Sequence, residues 1–212
     1  MSRLLFTNHI YYMLNYRIEY HENTIWGQIA FMTILNEKQK ELYPKLAPAN
    51  IDPASFLATD YLNHFNEMLM MLEMLPDMPD MLEDLEDWAP KSYPDHFIQS
   101  GFTDKDLAVE AYENAPSAYK TQFDGTVADL DKLIVSTLGG LRAVGIAERG
   151  FSAPARLLLQ TRIEMMHILL LRISGIIHGH LVKDDEITIS TPASAEPDSS
   201  TQSQDDIDKL FD

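Results

Sequence analysis

The sequence contains no cysteine, few basic residues and no long uninterrupted apolar run. Without cysteine, a disulfide scaffold, thiolate zinc, iron–sulfur clusters and cysteine catalysis are excluded, and a reducing compartment fits. The 16 basic residues stand against 33 acidic ones, for a formal charge of −17, so the surface repels nucleic acid and anionic membrane. Residues 1–6 are not followed by the apolar run of a signal peptide. We therefore expect a cytoplasmic protein that binds neither nucleic acid nor membrane.

Negative charge is concentrated in two stretches of the chain. Residues 77–87 carry six acids and no basic residue, and residues 184–212 carry nine acids and one lysine. These stretches account for 14 of the 17 net negative charges, and the rest of the chain is nearly balanced. We interpret 77–87 as a solvated surface segment, since runs of like charge favour solvent. In the C-terminal tail, residues 184–212, the acidic residues alternate with apolar ones near the end of the chain.

Apolar residues recur at helical spacing between segments marked by proline and glycine. Residues 8–42 predict an amphipathic helix that ends before Pro44. Asp52 as a cap, with Pro53 in the first turn, predicts the start of a second helix that continues to about residue 75. A short acidic helix over 81–88 and a loop over 90–101 follow. A Thr103-x-x-Asp106 capping box then predicts a helix that continues to residue 114.

Two longer helices are predicted after this region. The first covers 116–143, and the second begins after Ser152, with Pro154 in its first turn, and continues to about residue 181. The connector 145–151 is short, so the two helices should be antiparallel. The second helix is apolar around much of its circumference, which predicts the most buried helix of a bundle and favours a homodimer. Overall, residues 1–184 predict an all-α fold, an antiparallel helical bundle of four-helix type.

The composition changes abruptly after this helical region. Residues 185–202 are small, polar and proline-punctuated, which predicts a flexible acidic linker. Residues 203–212 again have a helical pattern: Ser203 can cap, Asp206 stands three residues later, and Ile207, Leu210 and Phe211 share one face. A turn this short is unstable alone, because helix nucleation is costly below about 12 residues. The tail is therefore typical of a peptide that binds in the groove of a partner.

The tail sequence SQDDIDKLF resembles the N-terminal peptide of the flagellar switch protein FliM. It is also similar to the C-terminal peptide of the chemotaxis phosphatase CheZ, where acidic residues precede two apolar ones. Both peptides bind the response regulator CheY in its phosphorylated form, so the resemblance implies a CheY-type partner. It also implies that Ile207, Leu210 and Phe211 are apolar anchors, and that Asp206 and Asp208 meet basic residues. The candidate partner-binding residues are Ser203, Gln204, Asp205, Asp206, Ile207, Asp208, Leu210 and Phe211.

The plan of helical hairpin, linker and terminal peptide also resembles CheZ. That family positions the attacking water with a glutamine four residues after an aspartate on a bundle helix. Gln160 is the one glutamine on the last predicted helix, and Arg156 rather than an acid precedes it by four residues. The CheC and CheX phosphatases instead use an acid and an amide three residues apart, and Asp60-x-x-Asn63 has that spacing. Phosphatase activity toward the regulator is therefore an alternative to docking alone.

A metal site is a further alternative, because Glu164-x-x-His167 has the spacing found in di-iron bundles. A complete site needs a second such motif and two further glutamates, which the sequence does not supply at matching positions. His178-x-His180 cannot place both rings on one helical face. We interpret His167 as a core histidine and the 178–180 pair as helix-end cations, and predict no metal and no cofactor.

The leading prediction is a chemotaxis protein that captures a CheY-type regulator through residues 205–211. The first alternative is a CheZ-like enzyme that hydrolyses the aspartyl phosphate of the regulator, and the second is a helical metal- or ligand-binding protein. The sequence contains no glycine-rich phosphate loop and no recognisable Ser-His-Asp arrangement, so neither motif favours another enzyme class.

Overall fold

The computed structural model describes residues 32–85 and 87–181. Within these ranges the ordered elements are helical, which confirms the predicted all-α class; an isolated bridge joins Ile51 to Ala58. The α-helices are α1 Glu37–Leu46, α2 Asn63–Met74, α3 Tyr93–Gln99, α4 Lys105–Glu113, α5 Ser117–Ala143, α6 Ile146–Arg149 and α7 Ala153–Ile177. Short 3-10 helices cover Ala47–Ala49, Thr59–Leu62 and Pro79–Leu85. Among the described helices, none is both long and apolar enough to cross a membrane.

The long helices α5 and α7 form an antiparallel hairpin, as predicted. Arg162 on α7 donates to Ser136 Oγ of α5 at 2.9 Å, and Tyr119 Oη at the start of α5 donates to the Gly179 carbonyl at 3.1 Å. The connector turns at Gly145 and Gly150, whose φ angles of 67° and 70° are ones that glycine adopts without strain. The single turn of α6 lies between them. The shorter helices pack against this hairpin.

The predicted start of α7 is confirmed. The Ser152 side chain accepts from the Ala155 main-chain N–H, and Pro154 lies in the first turn. The predicted central burial of this helix is wrong. Only one stripe of α7 is fully buried; Ile163 and Leu169 are partly buried beside it, and five other large apolar side chains of the helix are exposed. The buried stripe of α7 comprises Leu159, Met166, Leu170, Ile173, Ile176 and Ile177.

The predicted helix over 8–42 is interrupted within its described part. Residues 32–34 are helical, and a new helix then starts after Asn36. Asn36 and Gln39 form a reciprocal capping box, with Gln39 N–H donating to Asn36 Oδ1 at 2.9 Å. This cap competes with a continuous helix, because it satisfies main-chain donors locally. Pro44 lies inside α1 instead of ending it, and residues 8–31 of the prediction lie outside the described residues.

Asp52 does not begin the second helix, contrary to the prediction. Its Oδ1 accepts from the main-chain N–H groups of Ala54 at 2.8 Å and Ser55 at 3.2 Å, which closes a tight turn. Phe56 follows with φ of 65°, a left-handed conformation that no helix tolerates. Short polar side chains favour such local turns over helix, and α2 therefore starts only at Asn63, after a 3-10 turn.

The segment between α2 and α5 is more helical than predicted. The predicted loop over 90–101 contains α3, whose Ser92 cap accepts from the Asp95 N–H at 3.2 Å. The predicted acidic helix at 81–88 is a 3-10 helix over Pro79–Leu85. The predicted Thr103 capping box is not formed, since α4 begins at Lys105 and Asp104 is its cap residue without a side-chain bond.

Aromatic rings fill the core where these short helices meet the hairpin. Tyr61, Tyr93 and Phe123 are at most 2% exposed. Their ring centroids lie 5.3 Å apart for Tyr61 and Tyr93, and 5.6 Å apart for Tyr61 and Phe123. Tyr93 also stacks on Tyr112 of α4 at 4.7 Å. This cluster joins the 3-10 turn before α2 to α3, α4 and α5, and so fixes the positions of these elements relative to one another.

Candidate functional site

The predicted regulator-binding residues 203–211 and the predicted linker 185–202 lie outside the described residues. The sites that the structure places therefore belong to the helical region alone. A cleft of about 580 Å³ lies between the start of α2, the end of α3 and the segment leading into α4. It is lined by Ala49, Asn50, Asp60, Asn63, His96, Ser100, Gly101, Phe102, Thr103 and Asp104.

Asp60 and Asn63 lie on the same wall of this cleft. Asp60 is in the 3-10 helix Thr59–Leu62, which runs directly into α2 at Asn63, so the two side chains are one turn apart. Side chains three residues apart in such a helix lie above one another. The spacing read from the sequence therefore does bring an acid and an amide to one surface. A carboxylate and an amide so placed can orient a water molecule between them.

His96 of α3 lines the same cleft, and no pattern in the sequence indicates this. Its ring packs edge-on against that of Tyr61, with ring centroids 5.4 Å apart. Burial lowers the pKa of His96, and nearby Lys91 lowers it further. Burial therefore favours the neutral form of the His96 ring beside the Asp60–Asn63 pair.

His64 follows Asn63 in α2, and its ring packs against that of Trp88. The two rings stack with centroids 5.1 Å apart and 13° between their planes. His64 Nε2 is buried without a hydrogen-bond partner among the described residues. Burial lowers the pKa of His64 to about 4, and the charge of Lys91 acts in the same direction. The neutral ring thus behaves as an aromatic packing group at neutral pH.

A second, smaller cavity of about 310 Å³ lies between α5 and the segment before α3. Asp131 of α5 lines it together with Tyr61, Tyr112 and Asp124. Asp131 Oδ1 has no hydrogen-bond partner in the described part of the chain. Burial raises the pKa of Asp131 to about 6. The surroundings of Asp131 therefore disfavour the ionised form of its carboxyl group.

We expect Asp131→Asn to stabilise the protein at pH 8 by about 1 kcal/mol and to have little effect at pH 4. The folded-state pKa of Asp131 lies above its ordinary value, so ionisation costs stability above pH 6, and protonation removes the cost as the pH falls toward 4. The magnitude allows for solvent screening at a half-buried group. Urea unfolding at both pH values measures it. Asp129→Asn, at an exposed position on the same helix, is the control, and an equal effect of the two variants would contradict the assignment.

The CheZ-type position on α7 does not form a water-orienting pair. Gln160 is exposed, and its Nε2 donates to Glu164 Oε1 at 3.2 Å. Arg156, four residues earlier, lies 3.6 Å from Asp77 Oδ1. No carboxylate stands at the position that the CheZ pattern requires, which agrees with the departure seen in the sequence.

The Glu164 and His167 pair does not converge on a metal site. His167 is exposed, which corrects its prediction as a core residue, and its Nε2 lies 2.8 Å from Glu73 Oε1 on α2. His178 lies at the end of α7, the position predicted for it, with Nδ1 3.9 Å from Asp52 Oδ2. Across residues 32–85 and 87–181, no group of three histidine, aspartate or glutamate side chains is arranged to hold a metal ion.

Neither a protein-family model, nor a curated protein, nor a solved structure matches this chain.

Proposed function

We propose that this chain is a cytoplasmic chemotaxis protein that binds a CheY-type response regulator through residues 203–212. The observation that carries the proposal is the pattern of the tail. Ile207, Leu210 and Phe211 recur at helical spacing, after a Ser203 cap and a run of acids. Such a peptide folds on a partner groove that offers three apolar pockets and a basic rim.

The tether before the peptide supports a capture role. Its 13 small and polar residues from 190 to 202 give an end-to-end distance of roughly 20 Å for a flexible chain. A regulator held on such a tether meets the helical region at an effective concentration of about a millimolar. A second contact, between the tethered regulator and the helical region, can then form even if its own affinity is low.

Titration of an activated CheY-type regulator with the full-length protein tests the proposal. We expect Ile207→Ala/Phe211→Ala to weaken binding at least tenfold, because both anchors lose most of their apolar contact. Lys209→Ala is the matched control, since Lys209 lies off the apolar face, and it should change affinity less than threefold. Equal binding by the wild type and the double variant, or no binding by either, would contradict the proposal.

Hydrolysis of the regulator's aspartyl phosphate is the second candidate function. The observation that favours it is the placement of Asp60 and Asn63 on one wall of the cleft, with His96 beside them. We infer that the carboxylate accepts a hydrogen bond from a water molecule and that the amide fixes its orientation toward the phosphorus. Positioning of this kind is the main way in which a protein accelerates phosphoryl transfer.

The two functions are separated by measuring loss of regulator phosphate. If the chain is a phosphatase, Asn63→Ala should reduce the acceleration at least tenfold while binding through the tail is retained. Asp104→Ala, which removes a carboxylate from the same cleft outside the Asp60–Asn63 pair, should leave it nearly unchanged. No acceleration by the wild type would reject the phosphatase candidate and leave the docking proposal standing.

A further inference from the structure

The smaller cavity, of about 310 Å³, has one wall that is formed by a single face of α5. Asp124, Val127, Ala128 and Asp131 line it, and their spacing of three, one and three residues places them along one side of the helix. The two aspartates are about 10 Å apart along the helix axis, with the two apolar residues between them. The wall is therefore a short apolar strip with a carboxyl group at each end.

Rigid aromatic side chains line the cavity next to this strip. Tyr61 and Phe123 are each 1% exposed, so their rings are fixed in the core. Tyr61 Oη donates to the Lys91 carbonyl at 2.7 Å, which holds the segment before α3 against the ring. Among the described residues, none lines both this cavity and the Asp60–Asn63 cleft. The cavity is therefore separate from that cleft, and its walls are formed before any ligand arrives.

The two carboxyl groups of the strip differ in their partners. Asp124 accepts a hydrogen bond from Tyr112 Oη at 2.9 Å, and Lys120 Nζ lies 3.5 Å from its Oδ2. Asp131 Oδ1 is buried, and no donor in the described part of the chain bonds to it. One end of the strip is thus neutralised by the protein itself, and the other end is not.

Among the described residues, no positive charge compensates Asp131. Lys91 lines the cavity, but its charge acts on His64 and His96, whose pKa values it lowers. Burial raises the pKa of Asp131, and no cation in residues 32–85 and 87–181 lowers it again. An ionised carboxyl group that loses water without gaining a partner is unfavourable. A cation that enters the cavity would supply the missing partner.

The lining of the cavity selects among cations. Asp131 requires a partner that donates hydrogen bonds, which a primary ammonium group does and a quaternary one does not. Val127 and Ala128 favour an apolar body attached to that ammonium group. Lys120 already neutralises Asp124 at the other end of the strip, so a second positive charge would gain no partner there. A volume of about 310 Å³ is at the lower end of the range for ligand pockets, which limits the size of the molecule.

We propose that this cavity binds a small primary monoamine, with its ammonium group on Asp131 and its apolar body against Val127 and Ala128. Binding needs no bond to form or break. It is independent of the tail and of any regulator, because every residue that carries it lies in the helical region.

Calorimetric titration of the full-length protein with benzylamine tests the site. The wild type should bind benzylamine saturably, and Asp131→Asn should weaken binding at least tenfold, because the amide keeps the shape of the carboxyl group but not its charge. Asp129→Asn is the matched control, since it removes the same charge from an exposed position on α5, and it should change affinity less than twofold. Benzyl alcohol and benzyltrimethylammonium should each bind at least tenfold more weakly than benzylamine to the wild type.

Two results of this titration would overturn the proposal. Equal weakening by Asp131→Asn and Asp129→Asn would show that benzylamine follows the general negative charge of the chain. The absence of saturable binding to the wild type would show that water or another part of the chain is partner enough for Asp131.

A substitution that changes bulk but not charge tests where the amine lies. Ala128 lines the cavity from an exposed position, so Ala128→Phe should fill part of the space and weaken benzylamine binding at least tenfold. Val135→Phe adds similar bulk at another exposed position of α5 and should leave the affinity unchanged within twofold. Undiminished affinity of Ala128→Phe would place benzylamine outside the cavity and overturn the proposal.

Discussion

Phe123→Ala is expected to lower the free energy of unfolding by about 3–5 kcal/mol. Phe123 on α5 is 1% exposed, and its ring contacts those of Tyr61 and Tyr93 at centroid distances of 5.6 and 5.7 Å. Truncation removes the transfer free energy of a phenyl ring and leaves a cavity among rings that cannot collapse freely. Because the lost contacts join α5 to α3 and to the turn before α2, the whole helical region should be weakened.

Urea unfolding followed by far-ultraviolet circular dichroism measures this loss. Val135→Ala is the matched control, since Val135 lies on the same helix and is 49% exposed, and it should change stability by less than about 0.5 kcal/mol. A loss below about 1 kcal/mol for Phe123→Ala would show that the aromatic cluster is not the centre of the fold.

His64 is expected to make the protein acid-sensitive, with a loss of about 2 kcal/mol between pH 7 and pH 4. The folded-state pKa of about 4 lies below the ordinary value of 6.5, because burial disfavours the charged ring. The sign follows from linkage: the stability is present above pH 6.5 and is lost as the pH falls toward 4, when the unfolded chain binds the proton. The full shift would correspond to a larger loss, which partial solvent exposure reduces.

His64→Phe should remove this pH dependence, since a phenyl ring keeps the stacking on Trp88 but takes up no proton. The variant and the wild type should be similar at pH 7, and the variant more stable at pH 4.5. His180→Gln, at an exposed position, is the control. Asp131 changes stability in the opposite direction over part of this pH range. The protein with His64 and the His64→Phe variant should therefore both carry Asp131→Asn. If the stability of these two proteins had the same pH dependence, the role given to His64 would be contradicted.

Helices that carry many apolar residues at regular spacing were predictable from the sequence. The long helices α5 and α7 have enough turns for the period to be unmistakable, and Ser152 with Pro154 fixes the start of α7. The helix α3 was not predicted because it has only seven residues and contains Pro94. A short segment with proline is more typical of a loop. The helix start predicted at Asp52 was wrong because a helix cap and a tight turn use the same side-chain acceptor. The left-handed conformation of Phe56 shows that Asp52 closes a turn.

The candidate cleft was only half predictable. Asp60 and Asn63 are close in sequence, so their spacing could be read directly. His96 joins them through packing of α3 against the turn before α2, which depends on the Tyr61–Tyr93 contact and has no local sequence pattern. The exposed face of α7 was anticipated as surplus apolar surface, but the sequence could not show which side of the helix the hairpin would bury.

The two adjacent glycines near the end of α5 have a consequence for how the hairpin opens. Gly139 and Gly140 each cost a helix about 1 kcal/mol relative to alanine, because the unfolded chain retains more freedom there. The amide protons of that turn should therefore exchange with solvent earlier than those in the middle of α5. The opposite end of the hairpin is held by the bonds from Tyr119 to Gly179 and from Ser55 to Ile177. We therefore expect local opening to begin at the connector and to proceed toward the start of α5.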